Sequence, residues 1–179
     1  MKDFSRMARN ELEEYLNFLL TQYRVVDALW FLGVEDRFGL DKAVELNEEI
    51  WSSIGSRIAS EIKTRFNVKG KGVPAVIKAL SYFPWAMITK YEIEQTENKA
   101  VITVPKCTPQ DARLRHGRKE FPCKAMHFKL LQNFAKAIDE RVTVRCVMAP
   151  PDPHPKNLWC KWELICEQFP RKKRSEPSN

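Results

Sequence analysis

The first half of the chain repeats its apolar positions every three or four residues. Leu12, Leu16, Leu19 and Leu20 fall on one face of a helix predicted from Asn10 to Gln22. RVVDALWFLGVEDRFGL, from Arg24, is apolar nearly all round, so this second helix is expected to be buried, with Gly39 as its stop. A third helix fits Asp41 to Phe66 through Leu46, Ile50, Trp51, Ile54, Ile58 and Ile62, with Gly55 as its weak point. VKGKGVP reads as a loop, and Ala75 to Phe83 as a short helix ended before Pro84.

The period then becomes two. KYEIEQTENKAVITV alternates about a polar turn at Glu97 and Asn98, which predicts a β-hairpin of Ile88–Gln95 and Ala100–Val104. TPQDARLRHGRKE is polar and irregular, with at most a helical turn. Pro122 opens a helix that carries Met126, Leu130, Phe134 and Ile138 on one face. VTVRCVMA and LWCKWELICEQ form a second hairpin around PPDPHPKN. This order predicts an α+β fold: N-terminal helices packed on an antiparallel sheet built from two hairpins with an intervening helix. Residues 1–84 form the helical segment, 85–169 the cysteine-containing α+β segment of the same compact domain, and 170–179 a mobile basic tail.

At 179 residues the chain can bury a core without disulfides. No run of about 18 uncharged apolar residues exists, so no membrane span is expected. The N-terminus lacks the apolar stretch of a secretory signal, and the expected location is the cytoplasm. Of the net charge of +7, four basic residues against Glu176 in the tail account for +3. The remaining charges are interspersed, with no basic stripe bearing exposed aromatics, so no nucleic-acid partner is expected. There is no Walker loop, no GxGxxG, no GxSxG and no HExxH.

Candidate chemistry gathers at the thiols. Three of the five cysteines lie between Cys146 and Cys166. Alternation puts Val142, Val144, Cys146 and Met148 on one face, and Leu158, Cys160, Trp162, Leu164 and Cys166 on one face of the partner strand. A loop symmetric about Pro153 would set Cys146 opposite Cys160. Cys123 sits in the first turn of its helix, where free N–H groups favour a thiolate. Cys107 leaves the first hairpin. In a reducing compartment these are free thiols, metal ligands or redox groups. The cysteine spacings of sixteen, twenty-three, fourteen and six residues contain no CxxC, so core packing competes with a metal site and with a thiol active site.

Elsewhere, Asp27 and Glu35 lie in an apolar helix, where each needs a basic partner such as Arg24 or Arg37, or else lines a pocket. His154 stands among prolines that stiffen the mouth of the hairpin. It is an exposed loop histidine or an acid/base group.

The pieces DALWFLGVEDRFGLDKA, CTPQDARLRHGRKEFPCK, FAKAIDERVTVRC and PPDPHPKNLWCKWE resemble an uncharacterised family common in archaea and anaerobes. FAKAIDERVTVRC followed by WCKWELI is also similar in layout to the C-terminal part of the 4-vinyl reductase domain and of 2-aminothiazoline-4-carboxylate hydrolase-like proteins. A strand ending in Cys146, a loop, and Cys160-x-Trp162 carry that likeness, although PPDPHPKNLW replaces a shorter Gly-containing loop. The resemblance implies an α+β small-molecule-binding domain that holds metal through cysteines.

The leading expectation is therefore a cytoplasmic small-molecule-binding domain with a cysteine cluster. Cys107, Cys123, Cys146 and Cys160 are the candidate ligands of zinc or an iron–sulfur cluster. Asp27, Trp30, Arg113 and Trp162 are the candidate ligand contacts. The alternative is a thiol-dependent hydrolase or reductase acting on a small ring compound, with Cys123 as nucleophile and His154 or Glu163 as acid/base. A non-catalytic interaction module with structural cysteines is the second alternative. The expected partners are a small-molecule ligand and, as one option, a second copy of the chain in a homodimer.

Overall fold

The structure is a computed structural model and describes residues 3–166. The tail expected at 170–179 lies outside the described residues. Among them, six α-helices and one four-stranded antiparallel sheet make an α+β fold, as the pattern predicts.

A 3₁₀ turn, Phe4–Arg6, is capped by Asp3, whose carboxylate accepts from the Ser5 N–H at 3.0 Å. Helix α1 then runs unbroken over Arg9–Phe38. The two helices predicted here are one, because no glycine or proline falls between Gln22 and Arg24 to end the first. Gly39 does end α1, at φ 86°, with its N–H donating to the Glu35 carbonyl at 2.8 Å. Helix α2, Leu40–Arg65, folds back so that Trp51 meets Tyr23 of α1. Contrary to expectation, α1 has no buried residue: Val26, Leu29, Trp30 and Phe38 of its apolar sequence stay exposed.

Helix α3, Gly72–Leu80, is followed by α4, Pro84–Thr89. Pro84, predicted as a stop, is a start, because a first-turn proline loses no intrahelical bond. Strands β1, Glu92–Gln95, and β2, Lys99–Val104, form the first hairpin, shorter than predicted because Ile88 and Thr89 belong to α4. The polar stretch after Cys107 folds as α5, Thr108–Arg115. Helix α6, Lys124–Ile138, leads to β3, Val142–Met148, and β4, Cys160–Cys166. The sheet order is β1-β2-β4-β3.

The core forms where α6 lies between α2 and the sheet. Ala59 and Ile62 of α2, Leu130 and Phe134 of α6, and Ile102, Val144 and Trp162 of the sheet are all buried there. Gly55 brings α2 and α6 into backbone contact, since a Cβ at this position would lie 2.7 Å from the Leu130 carbonyl oxygen. Asn133 of α6 donates across the same seam to the Ser52 carbonyl at 2.7 Å. The edge strand β3 is covered by Gln132, which accepts from the Val144 N–H at 2.9 Å and donates to the Val142 carbonyl at 3.3 Å. After α6, the Asp139 carboxylate accepts from the Gly72 N–H at 2.6 Å and from Arg141, and these partners hold its carboxyl well below the usual range.

The face assignments hold for Val142, Val144 and Cys146 and for Cys160, Trp162, Leu164 and Cys166, but not for Met148, which pairs with Lys161 beyond a β-bulge, nor for Leu158, which precedes β4. The predicted register does not hold: the regular pairing from Val142↔Cys166 onward is centred on His154, not Pro153, so Cys146 lies opposite Trp162, while Cys160 lies opposite Val104 of β2. The proline-rich loop clamps onto the start of α6. Pro150 accepts from the Lys124 N–H at 2.9 Å, and Asp152 pairs with the Lys124 ammonium at 2.8 Å. The Pro150–Pro151 bond is cis.

Gly55→Ala should destabilise the protein by about 1–3 kcal/mol, because overpacking a helix seam outweighs the helix propensity gained. Gly33→Ala should have the opposite sign, since its nearest obstacle is the mobile end of Arg37, 3.3 Å away. Urea unfolding of both variants checks the pair.

Candidate functional site

A cavity of about 600 Å³ opens between α1 and the body of the domain. Its walls are predominantly apolar and aromatic, with contributions from α1, α2, α4, α5, α6 and the start of β4. It has three chemically distinct parts.

The first is built around the thiols. Cys107 precedes α5, Cys123 caps α6 and Cys160 opens β4, and all three line the cavity. Tyr91 and His127 join them. The His127 ring stacks on Trp162 with centroids 5.1 Å apart at 17°. Burial dominates the electrostatics here. It pushes the Cys107 thiol up to about 12 and the Cys123 thiol up to about 11. It raises Cys160 and Tyr91 further still, and drives His127 down to about 4. At neutral pH the thiols, the phenol and the imidazole are therefore all uncharged. The helix-end effect expected to make Cys123 a thiolate is real in position but is outweighed by desolvation.

The second part is the α5 side. Gln110, fully buried, donates to the Phe121 carbonyl at 2.8 Å and accepts from the Phe121 N–H at 3.1 Å. The same amide donates to the Cys123 sulfur at 3.6 Å, and so fixes the approach to α6. Arg113 is 6 % exposed. It grips Glu35 of α1 through two hydrogen bonds of 2.6 and 3.0 Å, donates to the Lys119 carbonyl at 2.7 Å, and lies against the Phe31 and Phe121 rings. Glu35 thus has a structural partner, though neither of the two nearby in sequence. The pairing holds its carboxyl below the ordinary range.

The third part is aromatic. Tyr23 of α1, Trp51 of α2 and Trp85 of α4 pack together with centroids 6.1–6.4 Å apart, Trp51 edge-to-face to both and Tyr23 tilted against Trp85. Asp27 lies beside them, and burial raises its carboxyl against the favourable pull of the Trp51 indole N–H.

The predicted site residues divide accordingly. Asp27, Arg113, Cys107, Cys123 and Cys160 line the cavity. Trp162 is fully buried behind His127, and its Nε1 is the buried side-chain polar atom left without a hydrogen-bond partner among the described residues. Trp30 is not a cavity wall. It is 74 % exposed on the outer side of α1, because its neighbours Asp27, Ala28 and Phe31 hold the inward face. Cys146 is half-buried on β3 and is not among the lining residues.

Among the described residues no group of three or more His, Cys, Asp or Glu side chains is placed to hold a metal ion. Two of the candidate catalytic residues have charged partners of their own. His154 pairs with Glu120 at 3.2 Å and packs on Trp159. Glu163 alternates to the opposite face of β4 from Cys160 and Trp162, where it pairs with Lys99 and Arg145.

Pattern reasoning missed Gln110, Trp51, Trp85 and His127 as cavity residues. Trp51 and Trp85 were legible only as apolar positions, and a helical reading of TPQDARLR was the one signal that would have brought Gln110 and Arg113 to the same surface.

The fold and cavity define an α+β domain built around one large apolar recess. The chain belongs to the family of unknown function DUF6125, whose model matches residues 5–166. No curated protein matches it. Among solved structures it is similar to a trafficking protein particle complex subunit 3 from Naegleria fowleri, described as covalently bound to palmitic acid. The identity is 10 % and the TM-score 0.47, over 87 % of this chain and 96 % of that one. No helix among the described residues is long and apolar enough to cross a membrane.

In the native protein at pH 7, Cys123 and Cys160 should alkylate with iodoacetamide at least about a hundredfold more slowly than in urea, since the thiolate is scarce and both side chains are buried. The half-buried Cys146 and Cys166 should react first. Peptide mapping by mass spectrometry reads the order, and a fast Cys123 would contradict the account of its burial.

Proposed function

We propose that this chain is a binding domain for a small, largely apolar molecule held in the cavity beneath α1. The observation that supports this is the recess itself: about 600 Å³, with a mainly apolar and aromatic surface and with polar and charged side chains from α1 and α5 along part of its wall. That is the character of ligand sites in general. The uncharged thiols, Tyr91 and His127 suit an apolar or aromatic ligand body and offer weak, polarisable contacts. The likeness of the β3–loop–β4 layout to the C-terminal part of the 4-vinyl reductase domain points the same way, toward small-molecule binding. The thiol-enzyme alternative has less support, since burial keeps the Cys123 thiol protonated and Glu163 faces away on the other side of β4, paired with Lys99 and Arg145.

The neutral fluorophore N-phenyl-1-naphthylamine tests the reading. It should bind saturably, one molecule per chain, and raise the melting temperature. Met126→Trp, which fills the recess from α6, should abolish the fluorescence while leaving the circular dichroism unchanged. Unaltered binding to that variant would sink the proposal.

A homodimer is a second reading, favoured by a different surface. The outer side of α1 carries Val26, Leu29, Trp30 and Phe38 around a hollow of about 450 Å³ beside Gly33. A protruding indole next to a hollow on one helix is self-complementary, as a two-fold contact requires. A helix of 30 residues is about 45 Å long, enough to supply the roughly 800 Å² per partner of a standard interface. Sedimentation equilibrium should show a dimer for the wild type and a monomer for Trp30→Glu. A wild type that is monomeric at every concentration would overturn it.

A further inference from the structure

We propose that the Asp27 side of the cavity is a subsite for an organic cation, an ammonium or quaternary ammonium group carried on the apolar body of the ligand. This rests on the cavity being a ligand site and adds a charge to what it takes.

Asp27 lines the recess, yet among the described residues no Lys, Arg or His lies within ion-pair distance of it. Every other carboxylate on this side of α1 is matched: Glu35 by Arg113 and Arg118, and Asp36 by Arg118. Arg24, one turn before Asp27, also faces the cavity without closing a pair with it. The partner Asp27 does have is the Trp51 indole, while burial and the Asp27 charge keep the neighbouring Tyr23 phenol protonated. A carboxylate with so little compensation in an apolar surrounding is costly unless something else neutralises it.

The surrounding rings favour one kind of partner. Trp51 stands edge-to-face to both Tyr23 and Trp85, crossing Trp85 at 77°, and Tyr23 and Trp85 are tilted at 56°. Trp51 and Trp85 also line the recess. A cation set against an indole face is attracted by the ring quadrupole, and most strongly where water is excluded. Carboxylate and indole together therefore select a positively charged, weakly hydrated group. Among the described residues no lysine or arginine closes an ion pair with Asp27, although Arg24 lines the same recess. The competing choice is an anionic ligand held by Arg24 and Arg115, which line the recess without a carboxylate partner among the described residues.

Phenyltrimethylammonium and tert-butylbenzene have nearly the same shape and differ in charge, so they isolate the effect. Isothermal titration and tryptophan quenching should show the wild type binding the cation about tenfold more tightly than its neutral isostere. Asp27→Asn should bring the two affinities together while retaining tert-butylbenzene, which also reports an intact cavity. Trp85→Leu should weaken the cation severalfold. Equal affinities in the wild type, or a preference that survives Asp27→Asn, would overturn the subsite. Tighter binding of benzenesulfonate would overturn it in favour of the arginines. If N-phenyl-1-naphthylamine binds but phenyltrimethylammonium does not, the cation subsite falls alone. If neither binds, the ligand-site reading falls and takes the subsite with it.

Discussion

The contact between α2 and α6 at Gly55 sets the positions of everything else. A glycine lets the two helices touch through backbone atoms, with the Leu130 carbonyl where a side chain would otherwise stand. Helix α6 can then present Leu130 and Phe134 to the core, and the sheet closes over its other side through Trp162 and Val144. The same seam fixes Trp51 on α2 and His127 on α6 as opposite boundaries of one recess. Interiors pack densely, so a helix displaced at this seam would displace both walls together.

Helix α1 is held differently. It closes the recess without a fully buried residue of its own, through the Tyr23 and Phe31 rings and through ion pairs. Arg113 of α5 grips Glu35, and Arg118 engages both Glu35 and Asp36. The Arg113 pair is nearly desolvated, so it is worth more as a geometric constraint than as net stability. A ligand-covering element tied by polar contacts, above a scaffold held by apolar packing, leaves the floor of the site rigid and its cover easier to move.

Burial also decides the chemistry of the site. Cys123 has the helix-end position that activates thiols elsewhere, but it is enclosed, and the cost of a buried charge exceeds what a helix terminus returns. The same reasoning neutralises His127, Tyr91 and the other thiols. The titratable groups of the inner end therefore act as shape and polarisability, and charge is confined to α1, α5 and the rim.

Much of this was determined by sequence alone. Apolar periodicity located α2, α6 and the strands, and alternation assigned the inward faces of β3 and β4, because side-chain direction follows directly from backbone period. Asp27, Arg113 and three cysteines were legible as unusual residues in apolar or structured settings. Tertiary structure alone decided which of them meet. The β3–β4 register set Cys146 opposite Trp162 and not Cys160, since register depends on a whole strand's packing and not on loop symmetry. Trp30 and Trp51 are equally apolar in sequence, and only the packing of α1 against α2 put one in solvent and the other beside Asp27. The site is a product of long-range contacts, which local pattern does not encode.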